Sequence, residues 1–423
     1  MKRFEKLLRI SVLPAISLFC LALKPDKESS SSGVSANSDW PQWRGPNRDG
    51  ISAETGILKT WPPEGPKILW RMTLGNGFST ISIANGRAYT MFSDGTDEYV
   101  LCVDASSGQE KWRFKSDKNY VERQGGDGPR CTPLVDGSFV YALSAFGKLY
   151  GLDAGNGKKI WDHDLQKEFG AKMPIWGIST TPMIEGELLL IDVGGKSGHS
   201  LMAFDKRSGK TVWHSQTDQP GYSAPIAVTV GGVRQLIFFT GANLISVSPK
   251  DGKPYWSQPW QTQFFVNAAT PVFIPEDKIF ISSGYEQGAG LFQIQTNNGR
   301  PTAQSVWLNK NMRNHMATSV YLNGNLYGFD EANFKCLDAA TGEDKWKTRG
   351  LGKGTVMLAD GHLIVLSERG KLVLAEASSE GYVEKASAQI LRGKCWTSPS
   401  LANGKLYLRN EREMVCLDLK GGA

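Results

Sequence analysis

The sequence predicts an all-β fold: one eight-bladed β-propeller made of four-stranded antiparallel blades. Three observations predict it. A motif such as "KCLDAATGEDKW" (335–346) recurs at intervals of 38–52 residues, an Asn/Asp-Gly turn falls at a fixed place in most intervals, and short β-branched and aromatic runs fill the rest. Self-similarity at a period near 40–50 residues is the mark of a propeller or solenoid, and a twisted four-stranded sheet repeated radially is a propeller blade.

The motif sets the frame. Asp104, Asp153, Asp205, Ser248 and Asp338 each lie eight residues before Trp112, Trp161, Trp213, Trp256 and Trp346. Gly108, Gly157, Gly209, Gly252 and Gly342 each lie four before the same tryptophans. Weaker copies run through "FQIQTNNGRPTAQSVW" (292–307), around Glu376, and to Asp418 near the end, making eight in all. The Asp can accept backbone N–H bonds across a tight turn. The Gly supplies positive φ there, and the Trp offers a flat surface for the neighbouring blade. Every part of the motif has a structural use.

The remaining elements follow in order. A Thr/Ser-Pro pair opens several units ("CTPLV", "TTPMI", "ATPVF", "TSPSL"), and turns such as "VDGS" (135–138) and "ANGK" (402–405) mark hairpins. Each unit thus has strands A to D. The eighth copy stops after strand C, and "KILWRMTL" (67–74) at the other end of the chain carries a spare Trp70. This N-terminal strand is expected to complete the last blade and remove two exposed edges. The propeller is placed at residues 66–419.

Before it, residues 1–28 read as a secretory signal: four basic residues precede the apolar run "ISVLPAISLFCLAL" (10–23), short for a spanning helix and holding Pro14. Cys20 is the candidate for a lipid anchor and so for a membrane tether at the N-terminus. Residues 29–65 read as linker and lead-in, with a Ser-rich tract followed by "DWPQWRGPNRDG" (39–50). Export to the periplasm or outer membrane as a monomer is expected.

Composition excludes other classes. The net charge is +6, and residues 1–28 alone hold six basic and three acidic residues, so the fold lacks the concentrated basic face that nucleic acids need. The six cysteines form no C-x-x-C and no adjacent pair, and read as small apolar strand residues. None of the five histidines makes a metal motif, and nucleophile-elbow and P-loop patterns are missing. No catalytic residue, metal or cofactor is expected.

The motif "LDAATGEDKW" resembles the PQQ-type propeller repeat, across roughly residues 66–419. That repeat occurs in quinoprotein alcohol dehydrogenases and in BamB-like outer-membrane assembly lipoproteins, and "DWPQWRGPNRDG" resembles a lead-in seen before the first blade in secreted bacterial members. The enzymatic branch implies a bound quinone, calcium, a catalytic Asp and an adjacent cysteine pair. This chain departs from it in having no adjacent cysteine pair, no haem motif and a much shorter length. The BamB branch implies an eight-bladed, non-catalytic scaffold for envelope protein or peptide partners. The expectation is therefore a BamB-like scaffold, with a PQQ- and calcium-dependent oxidoreductase as the alternative.

Candidate binding residues come from the positions where the repeats differ. The start of strand A, innermost in a blade, is occupied in turn by Phe78, Arg130, Ser179, Tyr222, Ala268, Met316, Lys353 and Trp396. Adjacent positions add Asn267, His315 and Lys394, with Trp176 and Arg313 close by. These should ring one mouth of the central channel, mixing cations with aromatics. Such a ring suits an anionic planar ligand or an acidic, extended peptide.

Overall fold

The computed structural model describes residues 38–420. The segment read as a signal, Cys20 and nearly all of the Ser-rich tract lie outside them. Eight sheets follow one another along the chain. Blade 1 is formed by Ser82–Ala84, Arg87–Ser93, Asp97–Asp104 and Glu110–Lys118. Blades 2 to 7 repeat the pattern, from Leu134–Asp136 through to Glu384–Gln389. Blade 8 takes strands A to C from Ser400–Ala402, Lys405–Arg409 and Glu413–Asp418, and its outer strand is Ile68–Thr73, with Trp70 opposite Cys416. The ring is closed by the N-terminal strand, as its Trp implies.

Strands B and C are buried on both faces, as in Leu188–Asp192 and Leu201–Asp205, because blades pack face to face. Strand D lies at the rim and alternates, with only Trp213 buried in Thr211–Ser215. The five described cysteines are free and buried.

The repeated motif builds the seams between blades. Asp338 Oδ1 accepts from the backbone of Ala340 and Thr341, and Asp104 from Ser106 and Ser107, tying each C–D turn. Each Trp Nε1 then reaches the next blade: Trp70 donates to Ala105 O, Trp112 to Ala154 O, Trp161 to Lys206 O and Trp307 to Ala339 O, all at 3.1 Å. The Gly of that next turn lies under the ring. A Cβ on Gly157 would sit 2.6 Å from Trp112, and one on Gly209 2.8 Å from Trp161. The glycine thus serves twice, for its positive φ (+73° at Gly157) and for close approach. Blade 5 breaks the pattern. Its longer C–D hairpin carries Gly299 into open space, and Trp256 of blade 4 turns back to Gln235 Oε1.

The lead-in enters the central channel. Trp40 pairs with Ile83 of blade 1 through two 2.8 Å backbone bonds, and Val135 N of blade 2 donates to Pro41 O. Arg48 donates to Thr181 O and Pro182 O of blade 3, and Trp43 Nε1 to Thr270 Oγ1 of blade 5. Arg44 donates to Thr318 O and Ser319 O of blade 6. Ile51–Ser52 then lies parallel to the inner strand of blade 7, making that sheet five-stranded. The physical reason is that each strand A presents an unpaired edge to the channel. Two buried guanidiniums and a short strand satisfy those carbonyls. Burial pushes both arginines down, to about 10 for Arg44 and about 9 for Arg48.

Candidate functional site

With the far side of the channel filled, the mouth becomes a cup of about 310 Å³, its floor made by Trp43. Its walls include Phe78, Arg130, Trp176, Tyr222, His315 and Trp396 from the predicted ring, together with Ser179, Ala268 and Met316 of the same column. The side chains come from the loops that lead from each strand D into the next strand A. The C–D turns that carry the repeat lie on the opposite face, since strands alternate in direction.

The four other predicted residues have different places. Asn267 is fully buried and structural, donating to Thr240 O and Trp260 O and accepting from Ser283. Arg313 is committed to Asp330, 2.6 Å from Nε, and to Glu286. Lys353 is paired with Glu331 at 3.0 Å and lies 3.1 Å from His315 Nδ1. Glu331 therefore sits between His315 and Lys353, which hold its carboxyl down at about 2. Lys394 lies 4.3 Å over the Trp396 ring and donates to Gly125 O at 2.6 Å.

Arg130 is the deeper cation. Its guanidinium lies 4.8 Å over the Tyr120 ring and donates to Gly126 O at 2.6 Å and to Gly128 O. Burial lowers its pKa, partly offset by Tyr120 and Glu122. Neither Arg130 nor Lys394 has a carboxylate within ion-pair distance among the described residues. Both are held instead by ring faces and glycine carbonyls.

Across the cup, Trp176, Phe264 and Tyr285 form an aromatic group with centroids 6.1–6.3 Å apart, and Tyr285 stands 4.9 Å from His315. Outside it Ile175 and Phe264 are 58% and 48% exposed, with Val121 and Phe265 also exposed. Phe264, Phe265, Tyr285 and Glu286 all have left-handed φ of 55–61°. Such backbone gathers at binding sites.

Sequence reasoning missed Trp43, Tyr285 and Glu331, while Gln124 and Gly125 belong to the long entry loop 114–130 that the sequence places beside the mouth. Trp43 was visible within the lead-in, but nothing local places a lead-in inside a channel. Tyr285 and Glu331 lie in B–C turns, outside the strand-A column from which the ring was read.

Calcium finds no oxygen cage at this mouth. Glu331 is engaged by two cationic or imidazole partners, and among the described residues no group of three or more His, Cys, Asp or Glu side chains could hold a metal. The residues present do not fit a quinone–calcium centre.

Among curated proteins, the chain is 24% identical over 316 residues to outer membrane protein assembly factor BamB of Burkholderia pseudomallei, covering 71% of this chain and 74% of that one. It is 25% identical over 140 residues to the quinoprotein alcohol dehydrogenase PedH of Pseudomonas putida, a match spanning 31% of this chain and only 23% of the enzyme. The crystal structure of BamB from Moraxella catarrhalis superposes with a TM-score of 0.60 at 14% identity, covering 84% of this chain and 99% of that one, which shows the shared fold. Residues 96–348, more than half of the chain, match the family described as outer membrane protein assembly factor BamB, and the chain belongs to that family.

Proposed function

We propose that the chain is an exported, non-catalytic scaffold of the cell envelope that holds protein or peptide partners at the mouth of its propeller. The observation that carries this reading is the apolar rim of Val121, Ile175, Phe264 and Phe265 beside a cup already closed below. A small ligand needs only the cup, whereas the rim offers surface beyond it. The role named for the similar proteins, assembly of outer membrane proteins, supports the same class of work.

Deleting the gene should lower the amounts of outer-membrane β-barrel proteins, and the wild-type chain should restore them. A chain with Arg130, Lys353 and Trp396 all substituted by Ala should fold, by circular dichroism, yet fail to restore them. Unchanged barrel levels in the deletion strain would overturn the reading. The short match to PedH keeps a quinone-dependent oxidoreductase as the competing reading. Saturable absorbance changes with PQQ and Ca²⁺, with dye-linked alcohol oxidation, would establish it instead.

A further inference from the structure

The mouth carries a strap. Residues Gln124–Gly128 cross from the blade 1 side and are pinned at two points: Trp176 Nε1 donates to Gln124 Oε1 at 3.0 Å, and Lys394 Nζ, 269 positions away in sequence, donates to Gly125 O. Just past the second pin, Gly126 lies against Phe78, 3.1 Å from where its Cβ would stand, and Gly125 itself faces Trp396. Three glycine carbonyls, those of residues 125, 126 and 128, are the acceptors for Lys394 and Arg130.

We propose that the cup binds an extended polypeptide segment in which an aromatic side chain is flanked by carboxylates, and that those carboxylates replace the strap carbonyls on Lys394 and Arg130. This rests on the scaffold reading above. Three observations carry it.

Arg130 in the cup and Lys394 beside it, over Trp396, have no carboxylate within ion-pair distance among the described residues, Glu122, Glu98 and Asp127 acting on Arg130 only from farther away. A carboxylate is a stronger acceptor for a cation than a neutral carbonyl. The walls are predominantly ring faces, which take an aromatic side chain in tilted or edge geometry. The apolar rim continues past the cup on the Trp176 side, so the occupant is longer than one side chain. The other cations of the mouth do not enter into selection, because Arg313 and Lys353 are already neutralised by Asp330, Glu286 and Glu331. Recognition of charge is thereby confined to one side of the mouth and recognition of apolar surface to the other. The strap, built on glycines with positive φ at 126 and 128, is the part that gives way.

The test is calorimetric titration of the full chain with three N-acetylated, amidated peptides: Gly-Glu-Phe-Glu-Gly, its Gln counterpart and its Lys counterpart. The acidic peptide should bind at least about ten-fold more tightly than the Gln peptide, with the Lys peptide weakest, and the advantage should shrink as salt rises. In Lys394→Gln the advantage of the acidic peptide over the Gln peptide should shrink several-fold, Arg130 alone remaining to take a carboxylate. Independently, saturating acidic peptide should speed tryptic cleavage after the exposed Arg123 several-fold, because the strap has left its pins.

Equal binding of the acidic and Gln peptides, or no binding of either at millimolar concentration, overturns the proposal. An unchanged cleavage rate overturns the displacement of the strap. PQQ binding more tightly than the acidic peptide assigns the cup to a small anion and overturns it as well. If the peptides fail while the triple variant still fails to restore barrel proteins, this inference falls and the scaffold reading stands. If the triple variant restores them, that reading falls with it.

Discussion

The two faces of the propeller are built on opposite rules. On the turn face most blades do the same thing: an Asp ties the C–D turn, and a Trp from the blade before lies on its Gly. At the mouth no two blades agree, and the side chains there range from Arg130 to Ala268 to Trp396. The difference shows where stability and recognition are separated. Repetition is needed at seams, because eight similar interfaces close a ring only if each turns the chain by a similar angle. The mouth has no such constraint, and its side chains are free to differ.

The comparison can be broken most severely on the turn face. Gly157→Val places a branched side chain into the Trp112 ring on a backbone with φ of +73°. It should cost at least about 4 kcal/mol in denaturant unfolding or prevent folding. Gly299→Ala, at a similar φ but with nothing within 4 Å, should cost only about 1 kcal/mol. Equal losses at the two sites would mean that backbone conformation, not the Trp contact, makes the seam.

The plug should come next. Arg48→Met leaves the carbonyls of Thr181 and Pro182 without their donor, at a cost of about 3 kcal/mol. It should also shift Trp fluorescence to the red as Trp43 gains water. An unchanged spectrum and midpoint would show that the lead-in is not needed to fill the channel.

A smaller effect separates pH ranges. Asp192, at the mouth end of a blade 3 strand, is fully buried with one oxygen unpartnered, and burial pushes its carboxyl from 3.8 to about 8. The folded state keeps the proton to higher pH than the unfolded chain. This contribution is complete below pH 4 and is lost as pH rises to about 8. Asp192→Asn should therefore raise the thermal midpoint at pH 8 by more than at pH 5, with about 1–3 kcal/mol at stake. An equal shift at both pH values would refute it. Glu98, raised by burial to about 7, tilts the wild type in the same direction.

Smallest of all should be the stability change in Lys394→Gln, within about 0.5 kcal/mol by thermal unfolding, because Gly125 O can take a hydrogen bond from water or the new amide. A large loss would place the strap among the structural parts and erase the contrast between the faces.

The legible part of the site followed from the repeat. Once the frame was set, the strand-A column pointed to Phe78, Arg130, Tyr222 and Trp396, and all four line the cup. Asn267 stood in an adjacent position and is instead a buried tie between the end of blade 4 and the start of blade 5. Column membership cannot separate these cases, because it gives height along the channel and not the direction of a side chain. Nor could it separate Lys353, which has an acid beside it, from Lys394, which has none within ion-pair distance among the described residues.

The sequence by itself determined the eight blades, the strand that closes them and the face that carries the repeat. Those depend on local turn chemistry and on periodic spacing, which are written in consecutive residues. Only the tertiary structure decided that the lead-in fills the channel, that Trp43 floors the cup, and which cations have a carboxylate within ion-pair distance. Each of those rests on a contact between distant parts of the chain, such as Arg44 with Ser319 or Lys394 with Gly125, and no local pattern records what a closed ring brings together.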